Sequence, residues 1–328
     1  MTDNWNILGH DWAVDMLRRH IATGEARHAY LFCGPAGLGR RSLALAFARA
    51  LNCTNPPAPG ESCGQCRDCK QTSAMAHPDM AVIQAENEGG VLKVEQVREF
   101  KRTVSLKPYQ SKYRVALFLR FQEANDSASN ALLKTLEEAP AHVILLLTAD
   151  NPEALLPTIV SRCEVLRLRP ISLELIEKEL ERRGAESDLA RQIAHVSGGC
   201  PGYALRLLED KTLLAFRQQR LDDLQKLLSG TRVEKFTYAE KLAKEKDTMR
   251  QVLLVWLSFW RDVFMTAAQA DAPLANVDRT EEIQQLAGKL SLAETRKTVT
   301  SLESGLRRLE RNVNARLLAE VLLLDWPK

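Results

Sequence analysis

Residues 33–42 read Cys33-Gly34-Pro35-Ala36-Gly37-Leu38-Gly39-Arg40-Arg41-Ser42, a glycine-rich loop between an apolar run and a helical one. The run Ala29-Tyr30-Leu31-Phe32 predicts a buried strand, and Ser42 to Ala48 predicts a helix. Strand, glycine loop and helix in that order constrain the fold more than any other segment. Glycines let backbone amides curl around an anion, and the N-terminus of the following helix favours negative charge. In the pattern G-x-x-x-x-G-K-[ST], Gly34 and Gly39 hold the fixed places, with Gly37 between them. The next two positions should carry a lysine for the β- and γ-phosphates and a hydroxyl for Mg²⁺. They carry Arg40 and Arg41. A guanidinium is a wide planar fork rather than a compact ammonium, and a second cation repels the metal. The loop is expected to keep its shape and to have lost hydrolysis.

Around it, short apolar runs alternate with helical patterns. Ala13, Leu17 and Ile21 recur at helical spacing, with Gly24 as a stop. Strands are expected at 80–83, 113–119 and 143–148, and helices at 94–102 and 127–138. Such alternation indicates an α/β fold with a parallel sheet covered on both faces. After Pro170 the pattern is helical, broken chiefly at Gly198-Gly199-Cys200-Pro201-Gly202. It includes 252–267 and a long stretch over 292–324. The face carrying Leu253, Trp256, Phe259 and Trp260 is more apolar than one short bundle should cover, so part of it is expected to be an interface between chains.

A chain of 328 residues suggests about two domains. Net charge near +3 neither demands nor excludes a nucleic-acid partner. The start, Met1-Thr2-Asp3-Asn4-Trp5, has no basic and apolar leader pattern. The most apolar runs, 143–148 and 252–260, are too short to cross a bilayer. A cytoplasmic protein without membrane contact is expected.

Seven cysteines in a reducing compartment more often bind metal than pair. Cys53, Cys63, Cys66 and Cys69 form C-x9-C-x2-C-x2-C, which suits one tetrahedral structural Zn²⁺ with no open position for catalysis. The absence of a downstream Cys-Pro partner weakens an iron–sulfur reading. The third and fourth cysteines weaken a redox one. Cys33, Cys163 and Cys200 read as packing residues, and His77 as marking a turn.

The 113–119 strand of a nucleotide-hydrolysing site should end in two carboxylates, for the Mg²⁺ shell and the attacking water. Leu119 and Arg120 stand there, and can do neither job. The alternative register makes Glu123 the carboxylate.

The helix Asn130-Ala131-Leu132-Leu133-Lys134-Thr135-Leu136-Glu137-Glu138-Ala139-Pro140, together with Thr158-Ile159-Val160-Ser161-Arg162-Cys163, resembles the clamp-loader branch of the AAA+ ATPases. The resemblance spans roughly residues 9–210, and Ser-Arg-Cys is its hallmark. It implies an AAA+ P-loop-type domain over 1–165 with a zinc-module insertion near 53–70, a helical lid over 166–209, and an all-α collar over 210–328. The arginine expected at the second sensor is replaced by Tyr203, whereas Thr148 at the first sensor stays polar. The defects match a subunit that does not hydrolyse ATP, and they leave nucleotide binding by Gly34, Gly37, Gly39, Arg40 and Arg41 in doubt.

In this family the arginine of Ser-Arg-Cys reaches the γ-phosphate held by a neighbouring subunit, so Arg162 is expected to be an arginine finger in trans. The implied partners are gamma/tau-type ATPase subunits, a delta-type subunit, the sliding clamp, and primer–template DNA touched through phosphates. Lys93, Arg98, Lys101, Arg102, Lys107, Lys112 and Arg114 are the candidate DNA contacts, or else a solvated face alternating with Glu95 and Glu99. Two other readings compete: an active ATPase with an atypical site, which Arg40, Arg41, Leu119 and Arg120 oppose, and a solitary zinc-ribbon adaptor, which would need a stronger basic stripe.

Overall fold

The strand expected at Ala29 is β1 (Ala29–Cys33), and every residue of it is buried. Such a strand needs cover on both faces. In the computed structural model, which describes residues 5–104, 106–311 and 313–327, the chain supplies it by crossing repeatedly between strand and helix. The first part runs α1 (Asp11–Thr23), β1, α2 (Arg40–Leu51), α3 (Arg67–Ser73), β2 (Met80–Ile83), α4 (Val94–Val104), β3 (Arg114–Phe118), α5 (Asp126–Glu137), β4 (Val143–Ala149), α6 (Pro157–Val160) and β5 (Glu164–Arg167). Helix α1 stops where expected, with Gly24 in the left-handed conformation at φ 75°.

The sheet is wholly parallel, in the order β2-β3-β4-β1-β5. Cys33 pairs with Ala149 on one side and Arg167 on the other, while Phe118 pairs with Leu147. The carboxyl ends of β1, β3, β4 and β5 are therefore aligned, the edge where open α/β sheets place their ligands. Alternation along the strands feeds two cores. Tyr30 and Phe32 join Leu17 of α1 and Phe47 of α2, whereas Leu31 and Cys33 join Phe100 of α4 and Leu132 of α5. Strand β5 escaped the sequence reading because it is short, and only Leu166 of its four residues is fully buried.

The remaining helices are α7 (Leu173–Arg182), α8 (Ser187–Ser197), α9 (Pro201–Glu209), α10 (Lys211–Ser229), α11 (Arg232–Leu242), α12 (Lys246–Ala267), α13 (Thr280–Lys289), α14 (Leu292–Glu310) and α15 (Ala315–Leu324). The chain divides into two compact units. One runs through Leu175 and takes in Gly199–Tyr203; the other comprises Ile176–Gly198 and the chain from Ala204 onward. The stretch read as one helical segment over 292–324 is two helices, the second capped by the Asn314 side chain on the Leu317 amide.

Helix α12 corrects an expectation. Leu253, Trp256, Phe259 and Trp260 are each 0% exposed, so their face is not shared with another chain. The cause is packing within the same unit: α10, α13 and α14 all lie against α12, and Trp326 stacks edge-on against Trp256 at 4.9 Å. Exposed apolar side chains include Val233 and Phe236 on α11, Leu254 elsewhere on α12, and Leu317, Val321 and Leu324 on α15. Among the described residues, no helix is long and apolar enough to cross a membrane.

Candidate functional site

The glycine loop folds as its sequence requires. Gly34, Gly37 and Gly39 have φ of 147°, 87° and 88°, which L side chains rarely adopt. A Cβ on Gly34 would stand 2.6 Å from the Leu168 carbonyl oxygen. The Gly34 amide donates to the carbonyls of Ala149 and Asp150, tying the loop to the end of β4. On the other side the Gly202 amide donates to the Gly37 carbonyl at 2.7 Å, and a Cβ on Gly37 would meet the Tyr203 nitrogen at 3.2 Å. The Gly202–Tyr203 backbone thus lies against the loop.

The side chains on this frame are occupied elsewhere. Arg40, at the lysine position, forms an ion pair with Asp150 at 2.7 Å and is only 11% exposed. Arg41 reaches away to the Met75 sulfur at 3.3 Å. Leu119 follows β3 and is buried, its amide donating to the Ile83 carbonyl. Arg120 adopts a left-handed φ of 50°; its amide donates to the Thr148 hydroxyl and its guanidinium to Glu123 at 2.8 Å. Glu123, the alternative carboxylate, also accepts the Gly89 amide at 2.8 Å on the same oxygen. The loop can cradle an anion, but these residues do not fit a Mg²⁺–ATP hydrolytic site. No lysine directly follows Gly39, and no carboxylate stands at the two positions after β3.

Arg162 sits between α6 and β5. Its guanidinium donates to the Thr158 carbonyl at 2.8 Å and to Glu137 of α5 at 2.6 Å. Both members of that ion pair are substantially exposed, Arg162 by 34% and Glu137 by 48%. Pairs of this kind are held weakly, by about 0–1 kcal/mol, so a more strongly charged anion can displace the carboxylate.

The four predicted thiols converge. Their sulfurs lie within 4.8 Å of one another, and those of Cys63 and Cys69 are 3.9 Å apart. A tetrahedral site with Zn–S bonds of about 2.3 Å has edges of about 3.8 Å, so the donor set fits zinc. Backbone amides point at the sulfurs: Cys63 to Cys53 at 3.2 Å, Cys66 to Cys63 at 3.2 Å, and Cys69 to Cys66 at 3.4 Å. The amides of Cys66 and Gln65 lower the Cys63 thiol. At Cys66 burial works upward, but hydrogen bonds from Thr54 and the Cys69 amide outweigh it and hold the thiol at about 6. Burial raises Cys53 and Cys69. Burial also pushes Cys33 up to about 11 and Cys163 to about 12, as befits packing thiols.

The sequence reading missed a buried polar cluster beside this module. His77 does more than mark a turn: at 3% exposure it pairs with Asp68, itself between Cys66 and Cys69, at 3.1 Å. Asp79 is 0% exposed and accepts the amides of Tyr109, Gln110 and Ser111 at 2.6, 2.9 and 3.0 Å. Burial works to raise the Asp79 carboxyl, but these three donors outweigh it and hold it below the ordinary aspartate value. A His-Pro-Asp triplet after a cysteine cluster was the available signal. Of the basic stretch, Lys93, Arg98, Arg102, Lys107 and Lys112 are exposed and Lys101 is half-buried. Arg114 is half-buried and donates to the Thr103 carbonyl.

The family profile described as DNA polymerase III, delta subunit, matches residues 9–172, and that of its C-terminal part matches 212–328. The chain is 32% identical to the DNA polymerase III subunit delta′ of Pseudomonas aeruginosa over 97% of each chain. It is 26% identical to that of Bacillus subtilis over 95% of this chain and 94% of the other. The Escherichia coli tau subunit is 32% identical over 57% of this chain and 28% of its own length. Among solved structures, a gamma subunit-related protein of Thermotoga maritima covers 95% of this chain and 97% of its own, at 18% identity and a TM-score of 0.47.

Proposed function

The chain belongs to the DNA polymerase III delta′-subunit family of clamp-loader proteins, and on that premise we propose that it hydrolyses no ATP itself and lends Arg162 to the ATP site of a gamma/tau-type neighbour. The observation that carries this reading is the fate of the lysine position. Arg40 is closed into an ion pair with Asp150, and β3 is followed by buried Leu119. Arg162 is held by the exposed Glu137 carboxylate, the Thr158 carbonyl and the Ser161 hydroxyl. A guanidinium so placed can exchange Glu137 for phosphate oxygens on another subunit.

In this reading the α/β part over 1–165 is a docking body, 166–209 is a lid, and 210–328 is a collar that joins delta- and gamma/tau-type subunits. One structural zinc is held by Cys53, Cys63, Cys66 and Cys69, where it fixes chain geometry and takes part in no reaction. The assembly loads the sliding clamp onto primed DNA in the cytoplasm. Lys93, Arg98, Lys101, Arg102, Lys107 and Lys112 contribute phosphate contacts that weaken with salt. The test is reconstitution with gamma/tau- and delta-type partners, comparing wild-type and Arg162→Ala subunits at equal assembly. Unchanged clamp loading would leave the chain as a scaffold only.

A further inference from the structure

The segment between α4 and β3 is bonded to the cysteine module at both of the module's ends. Asn52, which precedes Cys53, exchanges two hydrogen bonds with the Tyr113 backbone, accepting at 2.9 Å and donating at 2.8 Å. At the other end Gln110 donates from its side-chain amide to Asp68 at 3.0 Å and to Gln71 of α3 at 3.1 Å. His77 bridges the two layers. Its Nδ1 accepts the Asp79 amide at 3.0 Å, which leaves Nε2 protonated and donating to Asp68 at 3.1 Å. Asp79 in turn collects the amides of residues 109–111.

Helix α3 has seven residues, too few to persist alone in water. Its first turn is framed by Cys66 and Cys69, so whatever gathers the thiolates also sets where Asp68 and Gln71 stand. The segment they grip exposes Tyr109 by 84% and Leu106 by 57%, flanked by exposed Lys107 and Lys112. An aromatic ring so exposed is held in place by its backbone, not by packing.

We propose that the metal module is the anchor of the 106–112 segment: metal at the four thiolates fixes α3, and α3 fixes the surface that carries Tyr109 through Asp68, Gln71 and Gln110. This rests on the zinc reading of the cysteine cluster. Gln110 is the positioning residue, since its side chain spans the gap and touches no thiol in the described contacts.

The experiment is amide hydrogen exchange on the full chain, with zinc content measured alongside, for wild type as purified, wild type stripped by chelator, and Gln110→Ala. Stripping should speed exchange at Tyr109, Gln110 and Ser111 at least about tenfold while the β3 amides of Val115–Phe118 stay protected. Gln110→Ala should loosen the same amides with zinc retained, which separates the coupling from metal loss. Protection of 109–111 that is indifferent to stripping, or to Gln110→Ala, overturns the coupling. Exchange that rises equally in β3 also overturns it, by making the metal a support for the whole sheet. A purified chain without zinc removes the zinc reading and the proposal together.

Discussion

Arg40, the first residue of α2, and Asp150, the residue after β4, meet in an ion pair of 2.7 Å at the carboxyl edge of the sheet. Two arginines at a helix N-terminus oppose the helix dipole, and Asp150 offsets part of that cost. The position that carries a lysine in the nucleotide-binding pattern here carries an intramolecular ion pair. Purified protein should therefore release no phosphate from ATP. Lys at Arg40 with Thr at Arg41 should not revive turnover, because Leu119 and Arg120 still leave Mg²⁺ and water without carboxylates. Turnover by that double variant in a phosphate-release assay would place the missing carboxylate elsewhere, with Glu123 the first suspect.

Arg162→Ala should leave the subunit folded and assembled. An arginine finger contributes on the order of 10³–10⁵ at the site it serves, but in the proposed role one site among several would depend on this side chain. Total DNA-stimulated ATPase should fall by a modest fraction and clamp loading much further. Arg162→Lys should rescue little, since an ammonium lacks the planar fork. Stopped-flow loading with matched subunit stoichiometry measures both.

Cys66→Ser removes the thiolate that also caps α3. Zinc content should drop from one per chain to near none, with proteolytic cutting appearing between 53 and 69. The melting transition of the sheet should persist, because the module is an insertion between α2 and β2 and contributes no strand. Loss of all cooperative unfolding in the variant would make the module part of the core.

Asp79 gives a pH signature. Its carboxyl is depressed in the folded chain, since three backbone amides outweigh the burial that works to raise it. A depressed carboxyl contributes stability that is present above the unfolded aspartate value and is lost as pH falls below about 4. Asp79→Asn should cost roughly 1–3 kcal/mol at neutral pH and flatten the acid limb of the melting curve. An acid limb identical to wild type would assign that limb to other carboxylates.

In the helical unit, Arg217 is 5% exposed and forks onto Asp278 at 2.7 and 2.8 Å, with Asn276 accepting at 2.7 Å. Burial works to raise the Asp278 carboxyl, and the Arg217 fork outweighs it and holds it low. Arg217→Ala should destabilise by roughly 3 kcal/mol, since it strands a partly buried charge. Denaturant titration of that variant beside Asp278→Asn checks the pairing, because the double variant should cost less than the sum of the two.

Much of this molecule is legible along the chain because its signals are local. The strand–loop–helix at Ala29 to Ala48 follows from apolar runs and glycines, and four of the five strands announce themselves by apolar runs. The cysteine spacing foretells four converging sulfurs, because short loops leave so few ways to arrange them. Strand β5 does not announce itself, since an edge strand needs only alternate residues buried.

What the chain order alone determines is chemistry by absence and by spacing: no lysine directly after Gly39, no carboxylate at the two positions after Phe118, and four cysteines spaced to reach one ion. The tertiary structure decides where the freed charges go. Arg40, at the start of α2, finds Asp150 at the end of β4, Glu137 of α5 finds Arg162, and Asp79 finds three amides thirty residues downstream. It also decides that the Trp256 and Trp260 face is filled by the chain's own helices. Helical periodicity says that a face is apolar but not what covers it. Ion pairs and buried carboxylates depend on separations in space that sequence distance does not encode.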